Sequence, residues 1–229
     1  MAAGTAPLAV GAVVIDLDGT LLDTAEELAL ATNQMLRALG FEPIEPARVR
    51  RFIGKGIAHL IGRALAAASG KEPQPALLAR ALPIYETCYD AVNGRHARAY
   101  PGVIEGLDAL RAAAFPLACV TNKAQRFTAP LLDRTGLARY FELVLSGDSL
   151  PRKKPDPLPL AHAARHFGVE PRRMLMLGDS VNDAQAARAA GCPVFCVSYG
   201  YNEGGDVREL DIDAIVPSIV AATKLIRKA

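Results

Sequence analysis

Asp16-Leu17-Asp18-Gly19-Thr20 constrains this chain more than any other segment. It follows an apolar run from Val10 to Ile15 that only Gly11 interrupts. Val13-Val14-Ile15 reads as a buried strand, with both aspartates at its carboxyl end. Open α/β sheets bind ligands at that end. Alternate residues of an extended chain point the same way, so Asp16 and Asp18 can converge on one point. Two carboxylates brought together repel each other and lose their water, a cost that a cation offsets.

Composition narrows the partners. The chain has 229 residues, 51% of them hydrophobic and 22% charged, enough for one sizeable domain or a core with a smaller module. A net charge of +2 supplies no electrostatic reason for nucleic acid or a membrane surface. Cys88, Cys119, Cys192 and Cys196 lack tight metal spacing, and the last two flank the strand-like Pro193-Val194-Phe195. They read as buried free thiols of a reducing, cytoplasmic compartment. No Lys or Arg precedes Arg37 and the apolar run stops at Asp16, so the N-terminus reads as a core strand rather than a secretory signal. No stretch reaches the length of a membrane-spanning helix. His162 and His166 share a helix face without the intervening Glu of a zinc protease, and read as helix surface. Nothing in the sequence sets the oligomeric state.

Two rhythms divide the chain. Thr24, with Glu27 three positions on, reads as the capping box of a helix that Gly40 stops. Further helices are expected over 46–52, 56–68 and 75–92, with no strand between 24 and 98. After Pro101-Gly102 helix and strand alternate. Strands are expected at 116–121, 141–146, 174–177, 193–198 and 214–216. Helices are expected at 104–113, 124–135, 158–167, 182–190 and, closing the chain, 219–228. The pattern predicts an α/β fold: a doubly wound, mostly parallel sheet, with an all-helical domain inserted after its first strand. Residues 1–21 and 99–229 form the predicted core, and 22–98 the insertion.

Four segments then fall at the ends of predicted strands or in the loops that follow. They are Asp16 with Asp18, Thr121-Asn122, Lys154-Pro155, and Gly178-Asp179 with Asp183. In this order they resemble the motifs of the haloacid dehalogenase-like (HAD) phosphatases, over nearly the whole chain. The resemblance implies a HAD-like Rossmannoid core in which Asp16 is the nucleophile that forms an aspartyl phosphate. Asp18 is then the acid/base, protonating the leaving alkoxide and later activating water. Thr121 offers a hydroxyl and Asn122 a backbone N–H to the phosphoryl group. Lys154 neutralises charge there, chosen over Lys153 because Pro155 follows it. Asp16, Asp179 and the backbone carbonyl of Asp18 would hold Mg²⁺. Asp183 either binds the metal through water or caps the helix that starts beside it.

The helical insertion resembles the cap of the phosphoglycolate phosphatase-like branch. Six basic residues and no acidic one lie between Arg48 and Lys71. Phe52-Ile53-Gly54-Lys55-Gly56 sits where a helix should begin. Gly54 and Gly56 let backbone N–H groups approach an anion there. Arg50 and Lys55 are the candidate readers of a carboxylate. The resemblance implies a Mg²⁺-dependent phosphomonoesterase of carbohydrate metabolism that acts on a small anionic phosphorylated substrate, converting 2-phosphoglycolate to glycolate and phosphate. Another HAD phosphatase or phosphomutase, for a hexose phosphate, nucleotide or pyrophosphate, is the alternative within the fold. A phospho-accepting signalling module also uses clustered Asp, Thr, Lys and Mg²⁺, and is the alternative of another class.

Overall fold

A computed structural model of the chain describes residues 7–229. Residues 1–6, assigned to the core from sequence, lie outside the described residues. The first apolar run splits at Gly11 into β1 (Leu8–Val10) and β2 (Ala12–Ile15). At the break the Gly11 N–H donates to the Arg173 carbonyl at 2.6 Å. A side chain there would meet Val169 Cγ1 at 3.0 Å.

Beyond Pro101 the chain alternates as its sequence predicts. Helices α5 (Val103–Ala112), α6 (Gln125–Arg134), α7 (Leu158–Phe167) and α8 (Val181–Ala190) separate the strands. The strands are β5 (Leu117–Val120), β6 (Leu143–Leu145), β7 (Met174–Gly178), β8 (Val194–Val197) and β9 (Ala214–Val216). With β2 they form a six-stranded sheet in the order β6-β5-β2-β7-β8-β9. Every pairing in it is parallel. From β2 the order runs outward through β5 on one side and β7 on the other. The carboxyl end of β2 therefore opens at the point where the winding reverses, the place at which such sheets bind ligands.

Both faces of β2 are covered, which explains an apolar run without polar alternation. Val13 and Ile15 enter one core cluster with Leu107, Leu131 and Phe195. Ala12 and Val14 enter another with Leu160, Met176 and Ala187. Side chains buried this completely contribute about 1.5–3 kcal/mol each for the larger aliphatics. The aspartates thus hang from a rigid strand.

Four helices occupy the insertion: α1 (Ala25–Ala38), α2 (Pro46–Arg50), α3 (Ile57–Ser69) and α4 (Pro75–Val92). They share an apolar cluster that includes Met35, Leu36, Ile61, Leu65 and Tyr85. The two chain passages into and out of them pair as short antiparallel strands, β3 (Leu22–Asp23) and β4 (Arg98–Ala99). The expected capping box of α1 does not form. Thr24 makes no side-chain cap bond, and its hydroxyl goes to Asp18 instead. Glu27 turns inward to Tyr89 and to the Gly94 N–H.

The chain's end departs from the expected single helix. A short α9 (Ile219–Thr223) gives way to β10 (Ile226–Lys228), which pairs in parallel with β1. That pairing satisfies the backbone of β1, which the sheet proper excludes. Cys119, Cys192 and Cys196 are buried free thiols, whereas Cys88 is only half-buried.

Candidate active site

Asp16 leaves the end of β2 with its N–H bonded to the Leu177 carbonyl of β7. Asp179 follows β7 directly, and Lys154 enters from the loop before α7. All three side chains are buried. The Lys154 ammonium lies 2.8 Å from Asp16 Oδ1 and 2.7 Å from Asp183 Oδ1. It also donates to the Val120 carbonyl at 2.6 Å, which fixes it across the end of β5. Burial alone would lower this lysine's pKa, but Asp16 and Asp183 outweigh that and hold it raised. It is cationic at any working pH.

Asp179 is held by the Thr20 hydroxyl at 3.1 Å and by the Tyr201 N–H at 2.6 Å. Gly19 makes this approach possible. Its φ is +88°, and a Cβ there would sit 2.5 Å from Asp179 Oδ2. Asp183 bonds the Ser180 N–H and hydroxyl through Oδ2, closing a capping box on α8. Of the two roles left open for it, the helix cap is formed, and its other oxygen serves Lys154.

The donor set fits a divalent cation. Ligand oxygens of Asp16, Asp179 and Asp183 lie within 4.8 Å of one another. Lys154 neutralises only one of the three charges. Asp16 Oδ1 is buried without an aligned hydrogen-bond donor, since Lys154 approaches it as a close charge. Burial raises the Asp16 carboxyl well above the ordinary range, partly countered by Lys154 and reinforced by Asp183 and Asp179. Burial and Asp183 push Asp179 up to about 7. A cation among these oxygens reverses both penalties.

The model of haloacid dehalogenase-like hydrolases matches residues 13–197. The chain belongs to that family. It is 59% identical over 223 residues to a phosphoglycolate phosphatase of Nitrosospira multiformis, covering 97% of this chain and 98% of the relative. A phosphoglycolate phosphatase of Thiobacillus denitrificans is 53% identical over the same span. The crystal structure of a predicted phosphoglycolate phosphatase from Haemophilus somnus superposes with a TM-score of 0.89 at 33% identity, covering 94% of this chain and 97% of that one. Among the described residues, no helix is long and apolar enough to cross a membrane.

In this hydrolase, Thr121 stands at the end of β5 with its hydroxyl accepting from the Lys123 N–H at 3.2 Å. The Asn122 side chain does more than its backbone was expected to do. Its Nδ2 bridges the carbonyls of Gly54 and Lys154, both at 2.9 Å, so it ties insertion to core. Gly54 and Gly56 line the same pocket as Asp16, Asp18, Thr121 and Asn122.

Arg50 and Lys55 do not join them. Arg50 donates to the Tyr199 carbonyl at 3.2 Å and stacks over the Tyr201 ring. Lys55 pairs with Glu203 at 2.8 Å. Both basic side chains are spent on the core loop that follows β8, outside the pocket. Sequence reasoning missed the lysine that is inside it. Lys123 is buried, 3.1 Å from Asp18 Oδ1 and 2.5 Å from the Tyr89 hydroxyl. It directly follows Thr121-Asn122, which was the available signal.

Proposed function

We propose that this hydrolase is a Mg²⁺-dependent phosphomonoesterase that converts 2-phosphoglycolate to glycolate and phosphate. The observation that carries the reading is the convergence of Asp16, Asp18, Thr121 and Lys154 in and beside one pocket, in a chain 59% identical end to end to a phosphoglycolate phosphatase.

Asp16 attacks phosphorus with a carboxylate oxygen, and the bond to the ester oxygen breaks. Asp18 gives that oxygen a proton as it leaves. Asp18 then takes a proton from the water that attacks the phosphorus of the aspartyl phosphate, which releases phosphate and regenerates Asp16. Lys154, the Thr121 hydroxyl and the Asn122 N–H balance charge on the phosphoryl oxygens. Mg²⁺ held by Asp16, Asp179 and the Asp18 carbonyl, with Asp183 bracing Lys154, would supply charge neutralisation of the phosphoryl group.

Residues 22–98 act as a cap over the core formed by 1–21 and 99–229. The β3–β4 pair, where both connections run side by side, supports a hinge at that point. The half-buried or buried free thiols support a cytoplasmic setting.

The test is initial-rate kinetics on 2-phosphoglycolate, glucose phosphates, nucleotides and pyrophosphate, with Mg²⁺ and after chelation. A Mg²⁺-dependent preference for 2-phosphoglycolate is expected. Equal rates across the panel, or rates indifferent to chelation, would refute the assignment.

A further inference from the structure

We propose that Lys123 and the Tyr85 hydroxyl, set against the first turn of α3, hold the carboxylate of the leaving group. This rests on the reading of the substrate as 2-phosphoglycolate. It transfers the specificity role from Arg50 and Lys55, which are engaged elsewhere.

The pocket that contains Asp16 and Asp18 is also lined by Tyr85 and Tyr89 of α4 and by Ile57 in the first turn of α3. Its remaining wall is aliphatic, from Leu28, Ile53 and Leu60. Lys123 is the ammonium that lines it, with a side chain only 3% exposed. An ammonium has three N–H donors. Asp18 Oδ1, Asp18 Oδ2 and the Tyr89 hydroxyl accept from it at 3.1, 3.3 and 2.5 Å, and the longest of these, to Asp18 Oδ2, is the one a ligand carboxylate would replace.

Tyr85 supplies the independent observation. It is fully buried, it lines the pocket, and its hydroxyl has no hydrogen-bond partner. Interior hydroxyls are almost always paired, so the unpaired hydroxyl of this pocket-lining tyrosine is a donor still to be satisfied. Burial raises its pKa well above the ordinary value, so the phenol keeps its proton to donate. Gly56 precedes α3 at a φ of +86° and Ile57 opens the helix, both on the pocket wall. The first amides of a helix lack intrahelical acceptors and favour an anion.

The chemistry fits in scale. The carboxylate of glycolate is one methylene from the oxygen that Asp18 protonates, and Lys123 is 3.1 Å from Asp18. Ion-assisted hydrogen bonds gain strength in such an apolar enclosure.

The experiment compares kcat/KM for 2-phosphoglycolate and for ethyl phosphate, whose leaving group carries no charge, together with thermal melting. Wild type, Tyr85→Phe, Lys123→Met, Arg50→Ala and Lys55→Ala are measured. Tyr85→Phe removes only an unpaired hydroxyl, so it should fold. Its preference for 2-phosphoglycolate should drop about tenfold, mainly through KM, the scale of one charge-assisted hydrogen bond. Its Tm should rise by a few degrees, about 2–4 °C, as a buried unsatisfied group is lost. Lys123→Met should lose at least as much preference. The inference is overturned if a selective wild type keeps its ratio in both variants, or if Arg50→Ala or Lys55→Ala collapses it instead. A wild type with no preference between the two esters overturns the substrate reading itself, a separate result.

Discussion

Thr24 Oγ1 donates a 2.7 Å hydrogen bond to Asp18 Oδ1. The residue that precedes the first insertion helix thus orients the proposed acid/base of the core loop. Lys123 reaches the same oxygen at 3.1 Å. Thr24→Val keeps the shape and the Lys123 ion pair but removes one of the two groups that orient Asp18 Oδ1. The threonine caps nothing with its side chain, so the stability cost should stay near 1 kcal/mol. Turnover should fall about tenfold with KM little changed, because orientation of the proton donor acts in the transition state. Steady-state kinetics with a urea titration separates the two. A raised KM at unchanged kcat would assign Thr24 to binding instead.

Lys154 supports both fold and chemistry. It pairs with Asp16 and Asp183 in a dry environment. Lys154→Met leaves two buried carboxylates without their cation. Breaking a buried pair in this way costs about 3–5 kcal/mol. Phosphoryl transfer should fall at least about 100-fold, as for loss of one preorganised charge-stabilising group. Urea midpoints and single-turnover formation of the acyl phosphate would measure each loss. A variant as stable as wild type would mean that the ion pairs are already offset by their desolvation.

The site's core chemistry was legible because each residue follows a strand. Asp16, Thr121 and Asp179 all sit where an apolar run ends, and the parallel sheet brings those ends to one edge. Asp183 was ambiguous for a physical reason: one carboxylate has two oxygens, and here one caps a helix while the other pairs with Lys154. The cap was harder to read. A run of basic residues identifies a charged face, but the reach of Arg50 and Lys55 to the loop after β8 depends on packing that no local pattern encodes. Tyr85 and Tyr89 lie four residues apart on α4, a spacing that marks a buried helix face without saying what lies opposite. The closing strand β10 was missed because its partner, β1, is the other end of the described chain.

Glu27 gives a pH signature independent of catalysis. Burial raises its carboxyl above the ordinary 4.5, with Lys123, the Tyr89 hydroxyl and the Gly94 N–H partly countering. The folded state therefore binds this proton more tightly than the unfolded chain. Its stabilising contribution is complete below pH 4.5 and is lost as pH rises through the folded value. Glu27→Gln does not titrate. The stability of wild type minus that of Glu27→Gln should be greatest at low pH, decline as Glu27 ionises, and then stay flat. Urea unfolding followed from below pH 4.5 upward would trace it. A difference that grows with pH would contradict the direction of the shift.

Metal binding should register in stability before any turnover. Asp16 and Asp179 are both pushed toward protonation by burial and by neighbouring carboxylates. A cation that binds only the folded state adds about 2.7 kcal/mol at one hundred times its dissociation constant. For a chain of this size that corresponds to a rise of very roughly 5–10 °C in Tm. Chelated protein titrated with MgCl₂ should therefore melt progressively higher until the site saturates. Asp179→Asn keeps an oxygen for the Tyr201 N–H but gives up the charge, so its Tm should no longer respond. The same variant without Mg²⁺ should be no less stable than chelated wild type, because one of three clustered carboxylates has been neutralised. If wild type shows no Mg²⁺ response while Asp179→Asn gains stability, the cluster is an electrostatic burden that Lys154 alone relieves, and the assignment of Asp16 and Asp179 as ligands fails.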